Sequence, residues 1–377
     1  MSDDRKLPEW APSEGGAGFT SEVMKGVEGG HDGMPGSHRA PARARRRRKL
    51  TVDDYVKGIL DNDRTILARA ITLIESNSPA HHEMAQAVLK QVQPHAGGGI
   101  RVGITGVPGA GKSTFIEALG VELCRSGKKV AVLAVDPSSS RTGGSILGDK
   151  TRMETLTREP NAFIRPSPSA GALGGVGRKS RETMLLCEAA GFDTILVETV
   201  GVGQNEVTVR SMVDFFLLVL ISGAGDDLQG IKKGVMEIAD AILVNKADGD
   251  NVHRANLARV ELERVVHYLQ QATPGWTTPA LTASSVEGDG VMKVWDTIID
   301  FHKNTTGSGE FDKRRRRQNV DWVHSMIQEG LKDLFYHHPA IYSKLPNIEK
   351  EVADGQLPAT TAVEKLLEEF KKLTLTH

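Results

Sequence analysis

The octapeptide Gly106-Val107-Pro108-Gly109-Ala110-Gly111-Lys112-Ser113 places glycines, a lysine and a hydroxyl in the pattern G-x-x-x-x-G-K-[ST]. Glycine-rich backbone can turn successive N–H groups inward around anionic oxygens, and the N-terminus of a following helix adds positive potential. Lys112 supplies charge for β- and γ-phosphates, and the Ser113 hydroxyl is a hard ligand for Mg2+. Thr114 carries the loop on into a helix. The run IRVGIT ahead of the motif reads as a strand and TFIEALGVEL behind it as a helix, which is the context the chemistry requires.

A second constellation, Asn245-Lys246-Ala247-Asp248, closes the apolar run AILVN about 130 residues later. A carboxylate at its last position can accept from both the N1–H and the 2-amino group of guanine. Adenine offers no such donor pair and would leave that carboxylate unmatched. The stem of Lys246 would lie along the base. Ser284-Ser285-Val286, after the next apolar run, can offer backbone N–H groups to the guanine oxygen. Together these residues favour GTP or GDP over adenine nucleotides.

Three acids belong to the same chemistry. Asp136 follows the run VAVLAV, Asp149 lies in RTGGSILGDKTRM, and Glu198 ends TILVE ahead of Thr199-Val200-Gly201. A carboxylate at a strand end can bind Mg2+ directly or through water, and Gly201 can offer its N–H to the γ-phosphate. Asp136, followed by Pro137 and three serines, serves equally well as a cap. Glu198 closes an apolar strand and needs a partner. Arg141-Thr142-Gly143-Gly144, the stretch Gly171 to Gly177 and the stretch Gly223 to Gly230 read as loops able to change shape with the γ-phosphate.

The elements that must position these groups follow from periodicity. Strand-type runs fall at Ile100–Thr105, Val130–Val135, Ala162–Arg165, Thr194–Glu198, Phe215–Ile221, Ala241–Asn245 and Ala280–Ala283. Helical patterns lie between most of them, at about 114–126, 178–190, 204–212, 231–239, 251–271 and 290–304. This alternation predicts an α/β fold, a mainly parallel central sheet flanked by helices on both faces. Ligands of such sheets sit beyond the carboxyl ends of the strands, where the motifs fall. Residues 50–97 read as a helical annex with a break at Pro79 and a Gly97-Gly98-Gly99 linker, and residues 98–306 as the domain that holds the motifs.

Residues 307–377 read as helical. Lys313 to Arg317 open one helix as a solvated basic start, and a second helix runs over about 360–373. The apolar stripes of this extension need a surface to cover them, either on a second chain or back on this one. Residues 1–49 hold eight glycines and four prolines and end in a basic run, which predicts a disordered tail.

Composition removes several alternatives. The 377 residues carry 47 Lys and Arg against 48 Asp and Glu, and without the first 49 the balance is 37 to 41. A nucleic-acid-binding protein built on the two Arg runs is therefore disfavoured. The longest apolar run is seven residues, against the roughly 18 that would suggest a membrane span. Two cysteines fit a reducing compartment, and the opening residues have no signal-like apolar region, so a cytoplasmic location is expected. His81-His82 and His337-His338 are adjacent pairs whose side chains point apart, which argues against a metal-delivery GTPase.

The phosphate loop, DPSSSRTGGSILGDKTRM, ETVGVGQNE, SGAGDDLQGIKKG and NKAD together resemble the methylmalonyl-CoA mutase-associated GTPase family of the MeaB/ArgK type, over about residues 55–377. The resemblance implies a P-loop GTPase of the signal-recognition-particle-like class that hydrolyses GTP with Mg2+. It also implies a chaperone that gates loading and protection of adenosylcobalamin in a cobalamin-dependent acyl-CoA mutase. A homodimer is implied as well, with residues 307–377 as its arm. By the same resemblance Ser113, Asp136, Asp149 and Glu198 surround the metal and the attacking water. Gln229 and Lys232 approach the nucleotide when the mutase docks. The tail has no counterpart in the family, and Ser285 stands where Ala is frequent; neither is expected to touch the chemistry. The rival reading is a kinase linked to arginine or ornithine transport, which Asp248 disfavours.

Overall fold

Phe215-Phe216-Leu217-Leu218-Val219-Leu220-Ile221 shows how the architecture is written. Successive strand side chains point to opposite faces, so an unbroken apolar run demands a helix layer on each side. In the computed structural model, which describes residues 49–76, 78–135, 153–166, 173–199, 205–222 and 233–374, that is the arrangement found. Phe215, Leu217 and Val219 enter one core with Phe115, Ile116 and Trp295. Phe216, Leu218 and Leu220 enter the other with Ile71, Val88 and Met184.

Among the described residues seven strands form the sheet: β1 (Ile100–Gly106), β2 (Val130–Val135), β3 (Ala162–Pro166), β4 (Thr194–Thr199), β5 (Phe215–Ile221), β6 (Ala241–Asn245) and β7 (Ala280–Thr282). Their order is β3-β2-β4-β1-β5-β6-β7, and every pairing is parallel. The register aligns Ile104 with Glu198, Gly106 with Val219, and Ile221 with Asn245. One edge of the sheet thus gathers the ends of β1, β4, β5 and β6.

The helices are α1 (Val52–Leu60), α2 (Arg64–Glu75), α3 (Pro79–Val92), α4 (Lys112–Arg125), α5 (Glu154–Arg158), α6 (Leu173–Ala189), α7 (Asn205–Arg210), α8 (Lys233–Glu237), α9 (Val252–His267), α10 (Val291–Gly307), α11 (Glu310–Tyr336), α12 (Pro339–Ala353) and α13 (Ala359–Thr374). The periodic segment from Thr51 is two helices before Pro79, because Asn62 turns left-handed at φ 56° between α1 and α2. Thr51 and Asp54 close a reciprocal cap at the start of α1, with N···O distances of 2.9 and 3.2 Å. The stretch Gly171 to Gly177, read as a loop, is helical from Leu173 onward. Helix α5 and helix α12 are additions, the latter carrying Pro346 inside it.

The basic start of α11 is not solvated as expected. Arg314, Arg315 and Gln318 share one face of the helix and turn inward, while Lys313, Arg316 and Arg317 face out. Arg315 is bidentate to Asp214, at 2.8 and 2.6 Å, and donates to Gly97 O and Gly99 O at 2.6 Å each. Arg101 holds Glu188 of α6 at 2.9 and 2.7 Å, and its backbone N–H donates to Asp214 at 2.9 Å. Arg314 donates to Asp214 O and Thr273, with Asp240 at 3.5 Å. Charge that looks solvated in the sequence is the clamp joining α11, the Gly97–Gly99 linker, α6 and the starts of β1 and β5.

Both cysteines are buried and free, Cys124 with its thiol pushed up to about 11 chiefly by burial. Among the described residues no helix is long and apolar enough to cross a membrane.

Removing one partner from a buried ion pair leaves the other uncompensated. Arg315→Ala is therefore expected to lower unfolding free energy by about 3 kcal/mol in urea titrations. Arg317→Ala, whose side chain is 84% exposed, should change it by less than about 0.5 kcal/mol. Equal effects from the two would contradict the clamp.

Candidate nucleotide site

The loop between β1 and α4 is shaped by contacts no larger residue could make. Gly106 ends β1 at φ 152°, and a Cβ there would stand 2.0 Å from Val219 O. Gly111 caps α4 at φ 81°, where a Cβ would lie 2.7 Å from Asn245 Nδ2. Between them Ala110 is buried and its N–H donates to Val107 O at 3.2 Å, while Pro108 and Gly109 are exposed.

Lys112 is the first residue of α4 and is buried. Its Nζ donates to Gly106 O at 2.9 Å and to Val107 O at 3.2 Å, so the loop's own carbonyls hold the ammonium in place. Burial lowers its pKa, and the nearby Glu198 carboxylate works in the opposite direction. Ser113 donates to Glu198 Oε1 at 2.7 Å, which brings two hard oxygen donors together beside the lysine. Glu198 is itself buried at the end of β4, and next to it Thr199 donates to Thr105 Oγ1 at 2.9 Å. Thr114 is exposed. Ser113 and Glu198 form the kind of oxygen donor set that suits Mg2+, which takes one or two protein oxygens and leaves the rest to phosphate and water.

Asn245 ends β6 and is buried against the phosphate loop, with Nδ2 donating to Ala110 O at 2.8 Å. Lys246 is exposed and left-handed at φ 60°, which swings the chain so that Asp248 faces the loop after β7. Ser284 donates to Asp248 Oδ2 at 2.7 Å, and Ser285 donates to Asn245 Oδ1 at 2.7 Å. Val286 is exposed. Ser285 was expected to serve through its backbone N–H, its hydroxyl in place of the frequent Ala adding nothing; in the structure that hydroxyl braces Asn245.

The residues placed at this edge are thus Gly106 to Thr114, Glu198, Asn245, Lys246, Asp248 and Ser284 to Val286. Asp136, Asp149, Gly201, Gln229 and Lys232 lie outside the described residues. Sequence reading missed Asn251, whose Nδ2 donates to Lys246 O at 2.6 Å and whose Oδ1 accepts from Ser222 at 2.7 Å. Its only signal was a polar residue shortly after the base-reading motif.

Residues 67–340 match the family model described as methylmalonyl Co-A mutase-associated GTPase MeaB. The chain belongs to the MeaB family. A probable GTPase of Mycobacterium tuberculosis is 52% identical over 318 residues, covering 84% of this chain and 95% of that protein. The Mus musculus mitochondrial methylmalonic aciduria type A homolog is 43% identical over 330 residues, 85% of this chain and 80% of its own. Among solved structures, a crystal structure described as a LAO/AO transport system kinase superposes with TM-score 0.69 at 38% identity, covering 86% of this chain and 99% of that one. As a MeaB-family GTPase the protein binds guanine nucleotide.

Gly111 is where the phosphate loop and the base-reading motif touch. Gly111→Ala must displace Asn245 and strain a left-handed backbone. A loss of at least about tenfold in GDP affinity by fluorescent-nucleotide titration is expected, from unmade hydrogen bonds at both loops.

Proposed function

We propose that this protein is a Mg2+-dependent GTP-hydrolysing chaperone that gates loading and protection of adenosylcobalamin in methylmalonyl-CoA mutase or a close relative. The observation that carries the nucleotide half is the convergence of Lys112, the Ser113–Glu198 pair and the Asn245–Asp248 motif at one sheet edge. The mutase half is supported by the family's description and by the methylmalonic aciduria relative.

In this reading the backbone from Gly106 to Thr114 wraps the phosphates. Lys112, already stripped of much of its water, neutralises charge that grows on the γ-phosphate oxygens. Bound Mg2+ would supply further charge neutralisation there, held by Ser113 and Glu198, with Asp136 and Asp149 assigned beside it. Gly201 donates to the γ-phosphate. Asp248 reads the guanine edge with Ser284 fixing its carboxylate, Lys246 covers the base, and the Ser285 and Val286 N–H groups meet its oxygen. Gln229 and Lys232 complete the site when the mutase docks.

Residues 98–306 are the hydrolytic domain in this scheme, and residues 307–377 the arm of a homodimer. Val320, Val323, Ile327, Leu331 and Leu334 form one exposed apolar face along α11, which a second copy would cover. The protein is assigned to the cytoplasm, with no role for nucleic acid or membrane.

No arginine is assigned to the transition state, so intrinsic turnover is expected to be slow. A cobalamin-dependent mutase should raise it, and completing a GTPase site in this way is worth on the order of 10³–10⁵ in rate. Steady-state GTPase assays with and without mutase, and co-elution with a non-hydrolysable GTP analogue, test this; a fast rate indifferent to mutase would refute it. Asp248→Asn should shift preference from GTP to xanthosine triphosphate by at least about tenfold, as the reversed hydrogen-bond polarity requires. A transport-linked kinase would instead tolerate adenine and phosphorylate an acceptor.

A further inference from the structure

Asn245 hangs between the two halves of the nucleotide site. The Ala110 carbonyl can only accept, so the amide nitrogen that meets it at 2.8 Å fixes the orientation of the whole side chain. Oδ1 must then face away from the phosphate loop, and there it meets Ser285 Oγ at 2.7 Å, which therefore donates. Asn245 is 1% exposed and Ser285 8%, so water has little access to replace either partner. Adjacent hydroxyls divide the work. Ser284 fixes the carboxylate of Asp248, whereas Ser285 fixes the amide that carries the phosphate loop.

We infer that Ser285 is a positioning residue that couples guanine capture to the phosphate loop, holding that loop in the form that retains the β-phosphate. The inference rests on the reading of this edge as the GTP site. The hydroxyl acts through Asn245, while its own backbone N–H serves the base. When guanine orders the Ser284–Val286 loop, Ser285 is set, Asn245 is set through it, and Ala110 is anchored at the far end of the chain of hydrogen bonds. An alanine at this position keeps the N–H and loses the link.

The test uses the full-length protein and the Ser285→Ala variant in competition against fluorescent GDP. GMP carries the base without the β-phosphate and so separates the two halves. Loss of one buried hydrogen bond should weaken GDP about 3- to 10-fold, mainly through faster release, and GMP by less than about twofold. In the double variant with Asn245→Ala, GDP release should be no faster than with Asn245→Ala alone. Equal losses for GDP and GMP would overturn the inference, since the hydroxyl would then shape only the base pocket. Unchanged GDP affinity, or additive losses in the double variant, would overturn it too. Should Asn245→Ala not fold, the contrast between GDP and GMP decides alone. A wild-type protein without GDP affinity would refute the site itself, an outcome distinct from all of these.

Discussion

An ammonium buried at the rim of a sheet is unfavourable until something negative settles beside it. Lys112 is in that position, held by two loop carbonyls with its charge disfavoured by burial. Everything around it follows from the need to keep that cation ready. Gly106 lets the loop turn against β5, Gly111 lets it pass Asn245, and Glu198 supplies a counter-charge close enough to matter. The parallel sheet is the frame for this, because only parallel strands bring the ends of β1, β4 and β6 to one edge.

The opposite edge solves a different electrostatic problem. Asp214, Glu188 and Asp240 are buried where strands and helices begin or end, and each is met by an arginine. Because Arg314 and Arg315 come from α11, that helix is tied through Asp214 to the start of β5 and through Gly97 O and Gly99 O to the lead-in of β1, the strand that runs into the phosphate loop. A buried pair of this kind is weak support for stability and stronger support for a fixed geometry.

The sheet was legible because strands covered on both faces read as continuous apolar runs with alternating helices between them. The phosphate loop was legible because its residue types have few other uses at that spacing between a strand and a helix, whereas Asn245-Lys246-Ala247-Asp248, a short match by itself, stood out only by its place at the end of a later strand. What escaped had a local signal pointing the wrong way. Asn62 interrupts an unbroken apolar period, glycines from Leu173 onward look like a loop, and Pro346 hides α12. Arg314 and Arg315 look solvated until Asp214, Asp240 and Glu188 are brought to them by the fold. The Ser285 hydroxyl gave no signal, since only the approach of two distant loops gives it a partner.

The start of α6 carries a mechanical consequence. Gly174, Gly175 and Gly177 occupy its opening turns, and each costs about 1 kcal/mol relative to alanine in a helix. Further along, Arg181 binds Ser211 and Gln318, and Glu188 binds Arg101, so the body of the rod is bolted down. The opening turns are therefore intrinsically the weakest part of this helix, and its anchored shaft carries them.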